Sequence, residues 1–228
     1  MKIVRLLAVV AGALLLVVGL FSYLVLSGLI ESRLAMNLQA EYGLEEEPSV
    51  AVSSNFPPEL LLGRMDRIEI QIDSFMQEGI RLQDLRIDLR DVDISVPSLF
   101  RGNLEREVRA ASLVAEAPED SINEYLREND LGLAGGEIDV RQNEAVYRSQ
   151  DVFFGFPVSI GLDLRVAGPH IIEVVPQEVT LAGLSLPPFL AEPLASGGRT
   201  LTVSDLPFEA GLVSVEPQND ALVIRAEG

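Results

Sequence analysis

The side chains that most often carry covalent chemistry are nearly missing from this sequence. Its 228 residues include one histidine, His170, and no cysteine. A serine nucleophile would have to use that one imidazole, which follows Gly168-Pro169 and has no partner nearby in sequence. No Gly-x-Ser-x-Gly turn is present to present such a serine. Zinc needs several imidazole or thiolate ligands, and these are lacking. Without cysteine there is no disulfide, no thiolate and no lipid-modified cysteine. Carboxylate pairs are unavoidable among 35 acidic residues, so they carry no information about acid–base catalysis. No glycine-rich phosphate loop occurs. The sequence therefore predicts no catalytic residue, no metal and no cofactor, and gives His170 a structural or surface role.

What the residue types do support is the solvation of hydrocarbon. Ile68, Ile70 and Ile72 alternate with Arg67, Glu69, Gln71 and Asp73, as do Leu85, Ile87 and Leu89 with Arg86 and Asp88. Val158, Ile160, Leu162, Leu164 and Val166 form the cleanest alternation in the chain. Each row is one face of a strand. Releasing a lipid with two long acyl chains into water costs about 25 kcal/mol at ~0.8 kcal/mol per methylene, so a lipid carrier needs a long apolar lining. The predicted lining consists of Ile68, Ile70, Ile72, Leu85, Ile87, Leu89, Val158, Ile160, Leu162 and Leu164. Ile122 and Leu126 from one short helix, and Phe189 and Leu190 from another, complete it. Every β-rich domain also has inward aliphatic rows that are ordinary core, and a share of these residues is expected to be that. The segment Phe153-Phe154-Gly155-Phe156-Pro157 holds three of the nine phenylalanines at a predicted turn. Exposed, Phe153, Phe154 and Phe156 would touch a bilayer; buried, they would pack on the sheet.

The elements that must position these residues are mostly strands. Between Ile80 and Val96 the apolar phase slips twice, between Leu82 and Leu85 and again at Arg90-Asp91. Each slip predicts a bulge, and two bulges predict a long, strongly bent strand. Val108, Ala110, Leu113 and Ala115 predict a further strand, with a slip near Ala111-Ser112. Pro118-Glu119-Asp120-Ser121 is a helix start with acids at the positive end of the dipole. Ile122, Tyr125 and Leu126 come next at helical spacing, and the helix is expected to end near Asn129. Strands return at 136–141 and 144–150, and from Val158 onward. A second short helix is expected over 187–194, limited by Pro193.

The N-terminal region bounds where these elements work. After Lys2 and Arg5 the chain is uncharged from Leu6 to Ile30. Such a helix reaches about 37 Å, more than the ~30 Å hydrocarbon core of a bilayer. It reads either as an uncleaved signal anchor or as a signal peptide cleaved late, near Ser27 or Ala35. The positive-inside bias places Lys2 and Arg5 in the cytoplasm and exports the chain beyond Ile30. All 35 acidic residues lie beyond Ile30 against 15 of the 17 basic ones, a net charge near −20. That excludes nucleic acid as an expected partner and disfavours docking to anionic lipid by charge. The run Glu45-Glu46-Glu47 before Pro48 reads as a solvated linker, with a calcium site as the alternative.

Several segments, in order, resemble the LmeA-like phospholipid-binding family of exported bacterial proteins. They are Asn55-Phe56-Pro57; Leu60 to Ile68 with Ile70 and Ile72; Gly79-Ile80-Arg81-Leu82 with Leu85 to Leu89; and Glu119-Asp120-Ser121-Ile122-Asn123. Ser185-Leu186-Pro187, Val203 to Pro207 and Gly211 to Val215 complete the set, so the resemblance covers roughly residues 50–227. Pro58 and Glu59 depart from it where apolar residues are usual, and Asp91 where glycine is frequent. The resemblance implies a half-tube, in which a curved sheet wraps helices around an apolar groove, and phospholipid binding in the cell envelope. It implies no catalytic set.

The expected fold is α+β and mostly β, with one long curved antiparallel sheet wrapping one or two short helices after a transmembrane or signal helix. The expected segments are 1–30, the signal anchor or peptide; 31–48, a helical stalk and acidic linker; and 49–228, the lipid-binding domain. The expected function is phospholipid binding or transfer at the outer face of the cytoplasmic membrane, in a single-pass protein, or in the periplasm or secreted if the N-terminus is cleaved. Two alternatives stand beside it: an envelope interaction or scaffold domain with a closed core, and an accessory presenting lipid to an envelope glycosyltransferase.

Overall fold

A computed structural model describes residues 17, 19, 26–95, 106–129, 135–153, 156–187, 199–203 and 206–228, with side chains left aside at 57, 150–153 and 199. Two helices, α1 (Ser27–Tyr42) and α2 (Glu119–Glu128), accompany twelve strands among these residues. The strands are β1 (Ser49–Ser53), β2 (Arg64–Gln77), β3 (Ile80–Ile94), β4 (Arg106–Pro118), β5 (Gly136–Arg141) and β6 (Glu144–Phe153). They continue with β7 (Phe156–Gly168), β8 (Ile171–Leu181), β9 (Leu184–Ser185), β10 (Arg199–Thr202), β11 (Gly211–Gln218) and β12 (Ala221–Glu227). Short 3-10 turns occupy Pro57–Leu62 and Pro207–Glu209. One six-stranded sheet has the order β1-β2-β3-β4-β12-β11, and a second has β10-β8-β7-β6-β5 with β9 paired to β8. The single long sheet expected from sequence is thus two sheets. The chain divides into two compact units, Met1–Ile72 with Arg86–Ala111, and Asp73–Leu85 with Ser112–Gly228.

Most of the apolar run Leu6–Ile30, and with it the expected membrane helix, lies outside the described residues; so do the expected helix over 187–194 and its Phe189 and Leu190. No helix among the described residues is long and apolar enough to cross a membrane. α1 opens within the last residues of the run and buries Ile30, Leu34 and Leu38, a stripe spaced by four, with Ala35 beside it. Its buried stripe packs on β1. Gly43, at φ 62°, takes the left-handed conformation that ends the helix. β1 is the edge strand of its sheet, and the Glu31 carboxylate accepts the N–H of Val52 at 2.9 Å, satisfying a donor that no further strand reaches.

The phase slips read from sequence have a backbone cause. On β3 the pairs Gln83-Asp84 and Arg90-Asp91 are each turned away from the buried face, and Leu85, Ile87, Leu89, Val92 and Ile94 are buried between and after them. Asp84 and Asp91 both have φ 49°. One left-handed residue shifts the side-chain phase by one, as a bulge does, and aspartate tolerates that conformation better than most residues. On β4 the slip comes at Arg109-Ala110, earlier than expected, so Ala111, Leu113, Ala115 and Ala117 face inward and Ala110 outward.

On the wet face of β3, Asp88 accepts a hydrogen bond from Arg67 Nε at 2.7 Å and another from its second nitrogen, with Arg90 alongside. Partial burial alone would raise the pKa of Asp88, but the Arg67 hydrogen bond and charge, aided by Arg90, outweigh it and hold the carboxyl below its ordinary value. A carboxyl depressed by folding adds stability that is present above its unfolded pKa and lost as pH falls through the folded one. Asp88→Asn is therefore expected to unfold at a slightly lower temperature than the parent at pH 7. The gap should close as the pH is taken below 3.8, the ordinary value. A gap independent of pH would show that the ion pair contributes nothing.

Candidate functional site

The site is built by α2 and the second sheet. Pro118, in extended conformation, precedes α2, and Glu119 and Asp120 occupy its first turn as the sequence predicted. Their neighbours show a further purpose. Glu119 Oε2 accepts the N–H of Val140 at 2.7 Å. Asn123 Oδ1 accepts the N–H of Ile138 at 2.7 Å, and Asn123 Nδ2 donates to the Ile138 carbonyl at 2.8 Å. Four helical residues rise about 6 Å and two strand residues advance about 6.6 Å, so one helix face matches the free edge of β5. Ser121 Oγ accepts the N–H of Arg81 at 2.7 Å, joining the same turn of α2 to the start of β3. α2 thus stands where a strand beyond β5 would pair. The Val140 carbonyl on the same edge accepts the N–H of Asp220, in the turn between β11 and β12, at 3.1 Å, so α2 and that turn together occupy the edge at which the second sheet ends.

Cross-strand partners set one face of that sheet. Ile138, Tyr147, Ile160 and Val179 lie in one row; Val140, Ala145, Leu162 and Pro176 form the next. Leu164 faces Val174, and Val166 faces Ile172, which faces Leu201. The rows are not equally covered. Val140, Ala145, Tyr147, Val158 and Val179 are buried, whereas Ile160, Leu162, Leu164, Val166 and Val174 are only half-buried. Val158 and Val179 pack with Ile160, Leu181 and Leu186 at one end of β7. Ile172, Leu212 and Val215 pack with Leu164, Val166, Val203 and Leu206 at the other. Between Ile160 and Leu162 the register with β8 shifts, opposite Pro176, which has no N–H to give a ladder.

One polar group is out of place on this face. Tyr147 is 4% exposed, and its hydroxyl has no hydrogen-bond partner among the described residues. The ring lies over Gly136, where an added Cβ would come within 2.1 Å of its Cζ and Oη. Gly136 is therefore required for space rather than for backbone freedom.

The residues predicted from sequence fall into distinct groups. Ile68, Ile70 and Ile72 on β2, Leu85, Ile87 and Leu89 on β3, Ile122 on α2 and Val158 on β7 are buried. Leu126, Ile160, Leu162 and Leu164 are half-buried. Phe154 and the side chain of Phe153 lie outside the described residues. Phe156 is 53% exposed and pairs across the β6–β7 hairpin with Phe153. His170 is exposed on the turn between β7 and β8. Sequence reasoning missed Asn123, Gly136 and Tyr147. Spacing signals the first only once β5 is known to lie alongside, and contact geometry alone reveals the other two.

A family model described as LmeA-like phospholipid-binding matches residues 22–227. The chain belongs to this family. No curated protein and no solved structure gives a match. The LmeA-like family is one of binding rather than catalytic proteins, which agrees with a face made of aliphatic rows. Asp91, one of the departures from the resemblance, is one of the left-handed positions of β3.

Proposed function

We propose that this LmeA-like protein binds a phospholipid by laying its acyl chains along Ile160, Leu162, Leu164, Val166 and Val174, and that Leu6–Ile30 anchors it so that this face works outside the cytoplasm. The observation that carries the reading is the contrast in cover. The β2 and β3 rows are buried, as a core must be, while on β7 Ile160, Leu162, Leu164 and Val166 stay half-buried beyond the buried Val158. A half-covered apolar row gains free energy from an apolar ligand that a closed core cannot accept. The exposed Phe156 offers a contact to the bilayer from which a lipid is taken, and release of the lipid at a second membrane completes a transfer. A partner enzyme of the envelope that receives the lipid is compatible with the same face.

The test is Ile160→Asp in the full chain, purified in detergent and assayed for phospholipid retained in native mass spectrometry. Losing the isoleucine contact, about 1.5–3 kcal/mol when fully buried, and desolvating a carboxylate are together expected to reduce retention at least about tenfold. Circular dichroism checks that the variant keeps the parent's fold, because Ile160, though half-buried, packs against Val158 and Val179. Ile87 is unsuitable for this purpose, because a charge in its buried row acts on folding first. Undiminished retention by a folded Ile160→Asp variant would put the lipid elsewhere. A parent chain that neither carries nor extracts lipid would favour the scaffold reading.

A further inference from the structure

We infer that the turn Phe56–Leu62 is a membrane-docking surface, held against the bilayer by the segment that anchors the chain. The inference rests on the proposed anchoring of Leu6–Ile30 and goes beyond the lipid-binding face, which lies on other elements. Three consecutive leucines, Leu60, Leu61 and Leu62, sit in a 3-10 turn. With three residues per turn they point in three directions, and one alone can meet the core. Leu60 does, at 2% exposure, while Leu61 is 45% exposed, Leu62 70% and Phe56 58%. The backbone beneath them is well braced. Phe56 O accepts the N–H of Glu59, Leu60 O that of Gly63, and Gly63 O that of Ile94, at 2.8–3.1 Å. Large apolar groups are thus held outward by a fixed frame.

The position of the turn selects its occupant. β1 returns along α1 so that Val52 meets Glu31 at 2.9 Å, one residue after the uncharged run ends at Ile30. The chain then passes that end of α1, and Phe56 comes four residues after Val52, a reach of about 13 Å. A bilayer holding the part of Leu6–Ile30 that precedes α1 therefore lies beside this end of β1 and not beside the other end of α1, where Arg106 pairs with Glu41. Charge near the turn is mixed, with Glu59 in it, Asp66 accepting the N–H of Asn55, and Arg64 just beyond it paired with Asp93 at 3.5 Å, so contact is made by the apolar side chains rather than by charge.

The chain has no cysteine, so single cysteines can be labelled with an environment-sensitive fluorophore. The full chain carrying Leu62→Cys, Val17→Cys or Tyr42→Cys would be reconstituted into phosphatidylcholine vesicles with and without nitroxide-labelled lipid. Val17 reports the anchor, and Tyr42 the far end of α1. Nitroxide lipid is expected to quench the probe at 62 about as fully as the probe at 17 while leaving the probe at 42 unchanged. Quenching at 17 without quenching at 62 overturns docking and leaves anchoring intact. Quenching at 62 without quenching at 17 supports docking and overturns the anchor, and quenching at neither overturns both. A probe at 62 shielded from aqueous iodide yet not quenched by lipid shows contact between protein copies, which also overturns membrane docking.

Discussion

Asn123→Ala is expected to lower stability by about 2–4 kcal/mol, since it removes two hydrogen bonds and leaves a donor and an acceptor of Ile138 without partners, each costing ~1–3 kcal/mol where water is excluded. For a chain of this size that corresponds to a fall of roughly 5–15 °C in the midpoint of thermal unfolding. The side chain is buried, and both of its bonds are short, at 2.7 and 2.8 Å. Asn123→Asp should recover only part of the loss, because its carboxylate accepts the Ile138 N–H but repels the carbonyl beside it. Hydrogen exchange separates this clamp from a general loosening of α2. The amide of Ile138 should lose protection, while that of Val140, held by Glu119, keeps it. Equal loss at both would mean that α2 leaves the edge as a unit. A variant as stable as the parent would rule out the clamp.

Gly136→Ala is expected to destabilise by about 1–3 kcal/mol, the usual cost of forcing extra volume into a packed interior. The collision is with the far end of a side chain, which in an open site would swing away. Tyr147 is not in an open site. It is 4% exposed, and Ile138 and Ile160 flank it as cross-strand partners, so the ring has little room to move off Gly136. Displacing the ring also disturbs Ile160, so lipid retention should fall together with stability. Combining Gly136→Ala with Tyr147→Leu tests the cause, since the shorter side chain removes both the collision and the unpartnered hydroxyl. The double variant should be more stable than Gly136→Ala alone, and failure of that rescue would place the strain elsewhere.

Local periodicity made much of this fold legible. The alternation from Ile68 to Ile72 and from Val158 to Val166 corresponds to β2 and β7, and the two slips on β3 correspond to the left-handed residues Asp84 and Asp91. The short helix after Pro118 is α2. These succeed because a period of two or of 3.6 is a property of neighbouring residues. The division into two sheets was not legible. The edge of the second sheet is closed by contacts distant in sequence, such as those of Glu119 and Asn123 with Val140 and Ile138, 21 and 15 positions away. The slip on β4 was misplaced because alanines at 110, 111 and 115 give little contrast between inward and outward positions.

The same boundary applies to the site. Composition already removed sulfur chemistry and left one imidazole, and the ordered motifs led to the LmeA-like family. Sequence alone thus led to a phospholipid-binding family, because its motifs are local and ordered, while the aliphatic rows themselves are common to lipid linings and ordinary cores. It could not distinguish Ile87 from Ile160, since both have the same type and spacing. Tertiary structure decided that, by covering one row and leaving the other half-covered. It also decided that of three successive leucines Leu60 is core and Leu62 is surface. Burial is set by what packs against a residue, and residues far away in the chain supply that packing.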